Sequence, residues 1–303
     1  MATVRHSDVG DWRLGDEPFL ASFRLPTAAD KCESLASRNP FPREDRILFN
    51  ETEHVYTVDG VRVPRSVTGL VHKFVESFDP RDAIEAMQNG AHWEVKRQLY
   101  TNDAGELLTP DEIVCKWARN GEVQRARGQL LHYHAEQFLN GRAVEHPLSP
   151  EFRQFLAIHR TLLGEGLRVY RTELSVFHCG LRLAGQIDLL CLDAAGAYVV
   201  VDWKRCKQMR CDTSQQMKEP LCHLPSCNWY TYSLQLNLYA HILTSEYGLA
   251  VSRMLLGIVH PDKERGQLLS VPFLREEVES IVEHERAMGC ATEVSVGGAF
   301  RTL

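Results

Sequence analysis

The chain has 303 residues, 44% hydrophobic and 24% charged, with 34 Lys and Arg against 40 Asp and Glu for a formal net charge of −6. That content suits one large or two small globular domains, and no apolar run approaches the ~20 residues of a bilayer span, which argues against a membrane role. The opening residues lack an apolar leader and carry early acids, so an intracellular protein is expected, nuclear, cytoplasmic, mitochondrial or viral origin being indistinguishable. Nine cysteines, an odd count in that setting, read as reduced thiols rather than a disulfide framework.

Residues 1–45 carry Pro, Ser and mixed charge without a period, and are expected to form an arm, poorly ordered or packed in extended form. Residues 46–148 read as a hairpin plus a helical elaboration. His54–Val58 and Val61–Val63 flank Asp59-Gly60, a pair suited to a tight primed turn. Ser66 or Thr68 can cap a short helix through Phe74, and a second helix is expected from about Pro80 to Leu99. Thr109-Pro110-Asp111-Glu112 is a capping box that opens a segment to about Asn120. A further helix around His132 follows and stops at Asn140-Gly141.

Residues 149–303 read as the core, integrated with the preceding segment. Ser149-Pro150-Glu151 opens a helix with Phe152, Phe155, Leu156, His159, Leu162 and Leu163 on one face. Strands are expected over about 168–177, 181–192 and 197–204, then a helix over 233–246 with Leu234, Leu238 and Ile242 buried. A fourth strand over 253–260 and a closing helix over 274–288 complete an α-β-β-β-α-β order.

The chemistry lies in the strands. Asp188 interrupts the run Ile187-Asp188-Leu189-Leu190, and Asp202 follows Val199-Val200-Val201 directly. Aspartate is a poor strand former, and a carboxylate withdrawn from water needs a partner, most simply a cation. A hairpin centred on Ala195 pairs residues whose numbers sum to 390, which sets Asp188 opposite Asp202. The turn His178-Cys179-Gly180-Leu181 gives pairs summing to 361, which sets Glu173 opposite Asp188. Directly opposed carboxylates repel unless positive charge lies between them, and Lys204 points to the same face as Asp202.

These residues resemble the PD-(D/E)XK nuclease superfamily, with Asp188 as first acid and Asp202-Trp203-Lys204 as the D/E-x-K element. Gly128, His132 and Glu136 match the G-x-x-x-H-x-x-x-E helix of RecB-like members, and Gln235 and Tyr239 their Q-x-x-x-Y helix. Mitochondrial genome-maintenance exonucleases are among the relatives this pattern resembles. The resemblance implies an α/β restriction-endonuclease-like core, a mixed sheet flanked by helices, here with a largely helical N-terminal elaboration. It also implies metal-dependent DNA hydrolysis, exonucleolytic on single-stranded or end-bearing DNA, with RNA left open. An inactive nuclease-fold protein that binds nucleic acid or a protein partner is the alternative.

Magnesium or manganese would take oxygen ligands from Asp188, Asp202 and the Trp203 carbonyl, and would polarise the phosphoryl group and a bound water. His132 is the expected nitrogen ligand, although a lone helix histidine is more often structural; an imidazole ligand would favour manganese. Lys204 would orient water or stabilise transition-state charge. Glu173 falls in the acid row, with pairing to Arg171 or Arg182 as the bland alternative. Gln235 and Tyr239 support the site by resemblance. Arg127, Arg205 and Lys207 are candidate nucleic-acid contacts within two basic stretches, which read equally as solvated faces. Cys206, Cys211, Cys222 and Cys227 have wider spacing than zinc sites usually show, and Cys32, Cys115 and Cys290 do not complete an iron-sulfur pattern, so neither group is expected.

Overall fold

A computed structural model describes Phe19 and residues 34–144 and 149–297, with side chains through Met288. Most of the expected arm, like Cys32, therefore lies outside the described residues. Its last part packs onto the body: α1 (Ser34–Arg38) is tied to Asn140, whose Oδ1 accepts the Leu35 N–H at 3.0 Å.

Asp59 and Gly60 both take positive φ, 51° and 77°, as a primed turn demands. They join β2 (Val55–Val58) to β3 (Val61–Arg62), and β1 (Ile47–Asn50) pairs antiparallel along the free side of β2. β1 was not expected, since Ile47-Leu48-Phe49 is too short an apolar run to stand out. β4 (Arg65–Ser66) leads into α2 (Val67–Lys73), whose cap is Ser66, its hydroxyl accepting from Gly69 N.

Two expected helices change. The segment over 80–99 splits into α3 (Pro80–Gln88), α4 (Trp93–Lys96) and a 3-10 turn, because Asn89-Gly90 are poor helix formers placed together. The capping-box segment and the His132 helix instead fuse into one 30-residue helix, α5 (Pro110–Leu139). Gly121 and Gly128 do not end it. Each costs about 1 kcal/mol, while the buried stripe Ile113, Val123, Ala126, Leu131 and Ala135 runs through both, and a helix already nucleated gains a hydrogen bond per residue added.

The remainder follows the expected order: α6 (Pro150–Gly164), β5 (Arg168–His178), β6 (Leu183–Leu192), β7 (Tyr198–Arg205), α7 (Asn228–Tyr247), β8 (Val251–Val259), then an additional β9 (Gln267–Val271) and α8 (Arg275–Gly297). Strand order is β4-β6-β7-β8-β9, with β5 beside β6; β7 and β8 are parallel, β8 and β9 antiparallel. α7 covers one face with a core that includes Ile187, Leu190, Val200, Leu236 and Ile258. α5 and α6 cover the other, with Leu131, Phe155, Leu189, Val201 and Trp203. No helix among the described residues is long and apolar enough to cross a membrane.

Candidate active site

Both hairpin registers agree with the turn arithmetic. Leu189 pairs with Val201 and Leu190 with Val200, sums of 390, while Leu174 pairs with Ile187 and Thr172 with Leu189, sums of 361. The β6–β7 ladder stops one pair short of Asp188 and Asp202. Beyond it β6 takes β4 as partner, Ser66 against Ala184. The two acids therefore sit at a fork where adjacent strands part, and the backbone freed there is used by side chains. Trp203 N–H donates to Asp188 Oδ2 at 2.8 Å, and Trp203 C=O faces His132 Nε2 at 3.1 Å.

The fork also breaks strand alternation. Ile187 belongs to the α7-side core and Leu189 to the α5–α6-side core, although two residues apart should share a face. On β5, Glu173 opposite takes a left-handed φ of 46°, a conformation that costs a residue with a Cβ about 1 kcal/mol or more. The single acid row expected from regular pairing is thus modified. Glu173 and Asp188 gather around His132, with Nδ1 at 3.9 Å from Glu173 Oε1 and 3.5 Å from Asp188 Oδ2. Asp202 turns toward α7, where Gln235 Nε2 donates to its Oδ1 at 3.3 Å.

Charges in this space are strongly coupled. Burial alone would pull the His132 imidazole down, but Asp188 and Glu173 outweigh it and hold it at about 9. Both ring nitrogens face acceptors, so the doubly protonated ring is the form that satisfies them in the protein alone. Burial opposes the Asp188 charge, yet His132, Lys204 and the Trp203 N–H keep its carboxyl below the usual range. Burial and Asp188 push Asp202 up to about 6 against the pull of Lys204 and His132. Lys204, whose charge burial disfavours, is held above its ordinary value by Asp202 and Asp188, with Nζ at 2.7 Å from Asp202 Oδ2. The Lys204 ammonium is the one partner of that buried Oδ2 among the described residues.

His132, Glu173 and Asp188 offer ligand atoms all within 4.8 Å of one another, the set among the described residues that could hold a metal ion. The donor chemistry fits a hard divalent cation: carboxylate oxygens, one imidazole, and beside them the buried Asp202 carboxylate, whose Oδ2 has lone pairs beyond the one facing Lys204.

The other expected residues separate. Gln235 Nε2 also reaches the Tyr239 hydroxyl at 3.4 Å, and burial pushes that hydroxyl well above its ordinary value. Arg205 points into the α6 side of the sheet, buried against Glu151 at 2.9 Å and hydrogen-bonded to Gln124, so it is not placed to meet a substrate. Lys207 pairs with Asp262 at 3.2 Å, and the Arg127 guanidinium lies over the Phe19 ring. Arg171, offered as a partner for Glu173, binds Glu44 instead. Cys206 donates from Sγ to the Gln208 carbonyl at 3.1 Å, and none of Cys206, Cys211, Cys222 and Cys227 belongs to the group of possible metal ligands found among the described residues.

Two features had no flag in the strand patterns. Tyr56 of β2 is buried, and burial, with smaller contributions from Glu173 and Asp188, raises its hydroxyl; its ring stacks on Phe49 at 4.4 Å. Gly257 of β8 lies opposite Trp203, and a Cβ there would sit 2.4 Å from the indole. That glycine lets the tryptophan between the second acid and the lysine sink into the core.

No curated protein matches the chain. Among solved structures, it is similar to the crystal structure of SSO0001 at 14% identity over 74% of this chain and 75% of that one, TM-score 0.28. It is also similar to a "Putative exonuclease" from Eubacterium rectale at 9% identity over 77% and 81%, TM-score 0.32. The family pattern of the PD-(D/E)XK nucleases matches residues 64–299. That match runs from the residue before β4 through β9 and all of α8, enclosing the fork, His132 and the helix of Gln235 and Tyr239, and the chain belongs to the PD-(D/E)XK nuclease superfamily.

Proposed function

We propose that this protein is a divalent-metal-dependent nuclease that hydrolyses DNA phosphodiester bonds, as an exonuclease on single-stranded or end-bearing DNA. The observation that carries the reading is the convergence of His132, Glu173 and Asp188 at the strand fork, beside the Asp202–Lys204 pair. His132, Asp188, Asp202 and the Trp203 carbonyl would hold magnesium or manganese, with Glu173 beside them. Bound there, the metal supplies charge stabilisation at the phosphoryl group and a water of lowered pKa. The imidazole favours manganese.

The chain's own groups divide the remaining work. Lys204, kept cationic by two carboxylates, places a positive charge where negative charge develops on the phosphoryl oxygens. Gln235 fixes the Asp202 carboxylate, and Tyr239 braces Gln235. Family membership supports a nucleic-acid substrate, and the end requirement and the choice of DNA are part of the proposal.

End-labelled linear, circular and single-stranded DNA, incubated with magnesium, manganese or EDTA, tests it. Mononucleotide release from linear and single-stranded DNA is expected, with circles spared and EDTA abolishing release. Asp188→Asn, Asp202→Asn and Lys204→Ala should each lower the rate by at least about 10²–10³-fold while the protein stays folded. Cut circles would remove the exonuclease assignment, and undiminished cleavage in all three variants would remove the site assignment. Binding without cleavage under every condition would leave the inactive alternative.

A further inference from the structure

A groove of about 710 Å³ lies between α6 and the loop joining β8 to β9, on the sheet face covered by α5 and α6. Its walls carry Arg153, Lys263 and Arg265 against one acid, Glu264. In a chain with net charge −6 that is a local reversal of sign. Between Phe152 and Gly164, α6 bears Arg153, His159 and Arg160 and no acid, and residues seven apart, as Arg153 and Arg160 are, share one helical face.

The groove is shaped by fixed contacts. Gln154, 5% exposed, donates from Nε2 to the carbonyls of His260 at 3.0 Å and Lys263 at 2.5 Å, and accepts the His260 N–H at 2.9 Å. Three hydrogen bonds from one buried amide thus pin the loop to α6. Gly266 forms the close contact: a Cβ there would come within 2.8 Å of Ile158 and 3.2 Å of Gln154. The cations are not committed to strong partners. Arg265 meets Glu264 at 4.0 Å with both side chains at least 85% exposed, a pair of negligible strength, and Lys263 Nζ meets the neutral Gln267 amide oxygen at 3.1 Å.

Its position connects it to the fork. β8 pairs with β7 as far as Val259 opposite Arg205, three residues beyond Asp202, and the loop starts at the next residue. From β7 to β9 is two strand spacings, roughly 10 Å. This is also the sheet face from which α5 brings His132 to Asp188.

We propose that this groove binds the phosphate backbone of the nucleic-acid strand a few nucleotides from the point of cleavage. Cations on both walls suit successive phosphates, which carry most of the sequence-independent affinity of nucleic-acid binding. The inference rests on the nuclease reading for its placement along the substrate.

The test compares wild type with an Arg153→Glu, Lys263→Glu, Arg265→Glu triple variant, and with the corresponding triple glutamine variant as a milder control. Binding of a labelled 20-nucleotide single strand is read by fluorescence anisotropy in the Asp202→Asn background, so that it does not depend on cleavage. The charge-reversed protein should bind at least 10-fold more weakly, the glutamine protein by an intermediate amount. The slope of log K against log salt should shrink by about 2, as loss of three phosphate contacts requires. In the active protein KM for the 20-mer should rise at least 10-fold with kcat unchanged, while KM for a trinucleotide, too short to reach the groove, stays put. An unchanged slope and KM for the 20-mer overturns the proposal. So does displacement of inorganic pyrophosphate alone, which would make the groove a small-anion site. Wild-type protein that cleaves nothing would defeat the nuclease reading, and the anisotropy would still report on the groove.

Discussion

Trp203 lies between Asp202 and Lys204, and its buried ring is what carries those two side chains to their places on the strand. The ring is admitted by Gly257, where a Cβ would lie 2.4 Å from Cε3. Gly185 does the same for Tyr239, with a Cβ 2.7 Å from Cε1 and 3.0 Å from Val67. All three contacted side chains are buried, so they cannot swing aside. Gly257→Ala and Gly185→Ala should each destabilise by about 1–3 kcal/mol, the usual cost of overpacking, and should lower kcat more than KM because the displaced residue belongs to the site. Urea denaturation and steady-state kinetics measure both, and wild-type values in both variants would show that the ring packing does not seat the site. The acids were legible in the sequence because charge inside a β-branched run is conspicuous and two short turns set the register. Tyr56 was not, because only the docking of a distant hairpin brings it to Glu173 and Asp188. Nor was the burial of Arg205, since period-2 alternation gives its face of the strand and not how deeply α6 covers that face.

α5 presents His132 from the middle of a 30-residue helix. Gly128, one turn before His132, reads from sequence as an allowance for close backbone approach, yet an added Cβ there meets nothing within 4 Å, and the same holds at Gly121. Neither glycine is required by the packing of the described residues, and both have negative φ. Gly121→Ala and Gly128→Ala should therefore each stabilise the protein by about 0.5–1 kcal/mol through helix propensity and a less flexible unfolded chain. Thermal melts of the metal-free protein check this, and a lower Tm at either position would mean that the helix bends or packs there. If Gly128→Ala raises Tm and still lowers activity, its bare backbone serves the substrate. Helix boundaries were the least legible elements for the same reason: Asn120-Gly121 looks like a stop until the buried stripe on both sides is counted. The fork was hidden by the brevity of β4, two residues with no pattern of their own, and β9 by the exposed polar face it shares with loops. The core order α6-β5-β6-β7-α7-β8 was legible because each piece has a strong period.

Across the whole molecule, buried histidines set the response to acid. Burial lowers His159, His178 and His241, and burial with Arg205 brings His260 to about 4. Glu246, Arg43, Arg286 and the paired ring of His241 also bear on His178, and Asp262, Lys207 and Glu151 on His260. A histidine depressed in the folded state stabilises fully above its unfolded value near 6.5, and that contribution is lost as pH falls toward the folded value. His132 has the opposite sign: held at about 9, it stabilises below 6.5 and loses that contribution as pH rises through 9. Four depressed histidines on α6, β5, α7 and the β8–β9 loop outnumber the one raised histidine and the one carboxyl raised to about 6, Asp202, whose proton uptake favours the folded form as pH falls, so the acid side should dominate. In EDTA, Tm should be highest between about 6.5 and 9 and fall from 6.5 toward 4. His260→Asn, which keeps an acceptor for the Asp262 N–H and cannot take up a proton, should flatten that acid limb and leave the alkaline limb unchanged. His132→Asn should do the reverse, removing the loss above pH 8. If His260→Asn follows wild type throughout the acid limb, protonation of His260 does not loosen the loop from α6, and the acid sensitivity belongs to His159 and to the His178–His241 stack under Glu246.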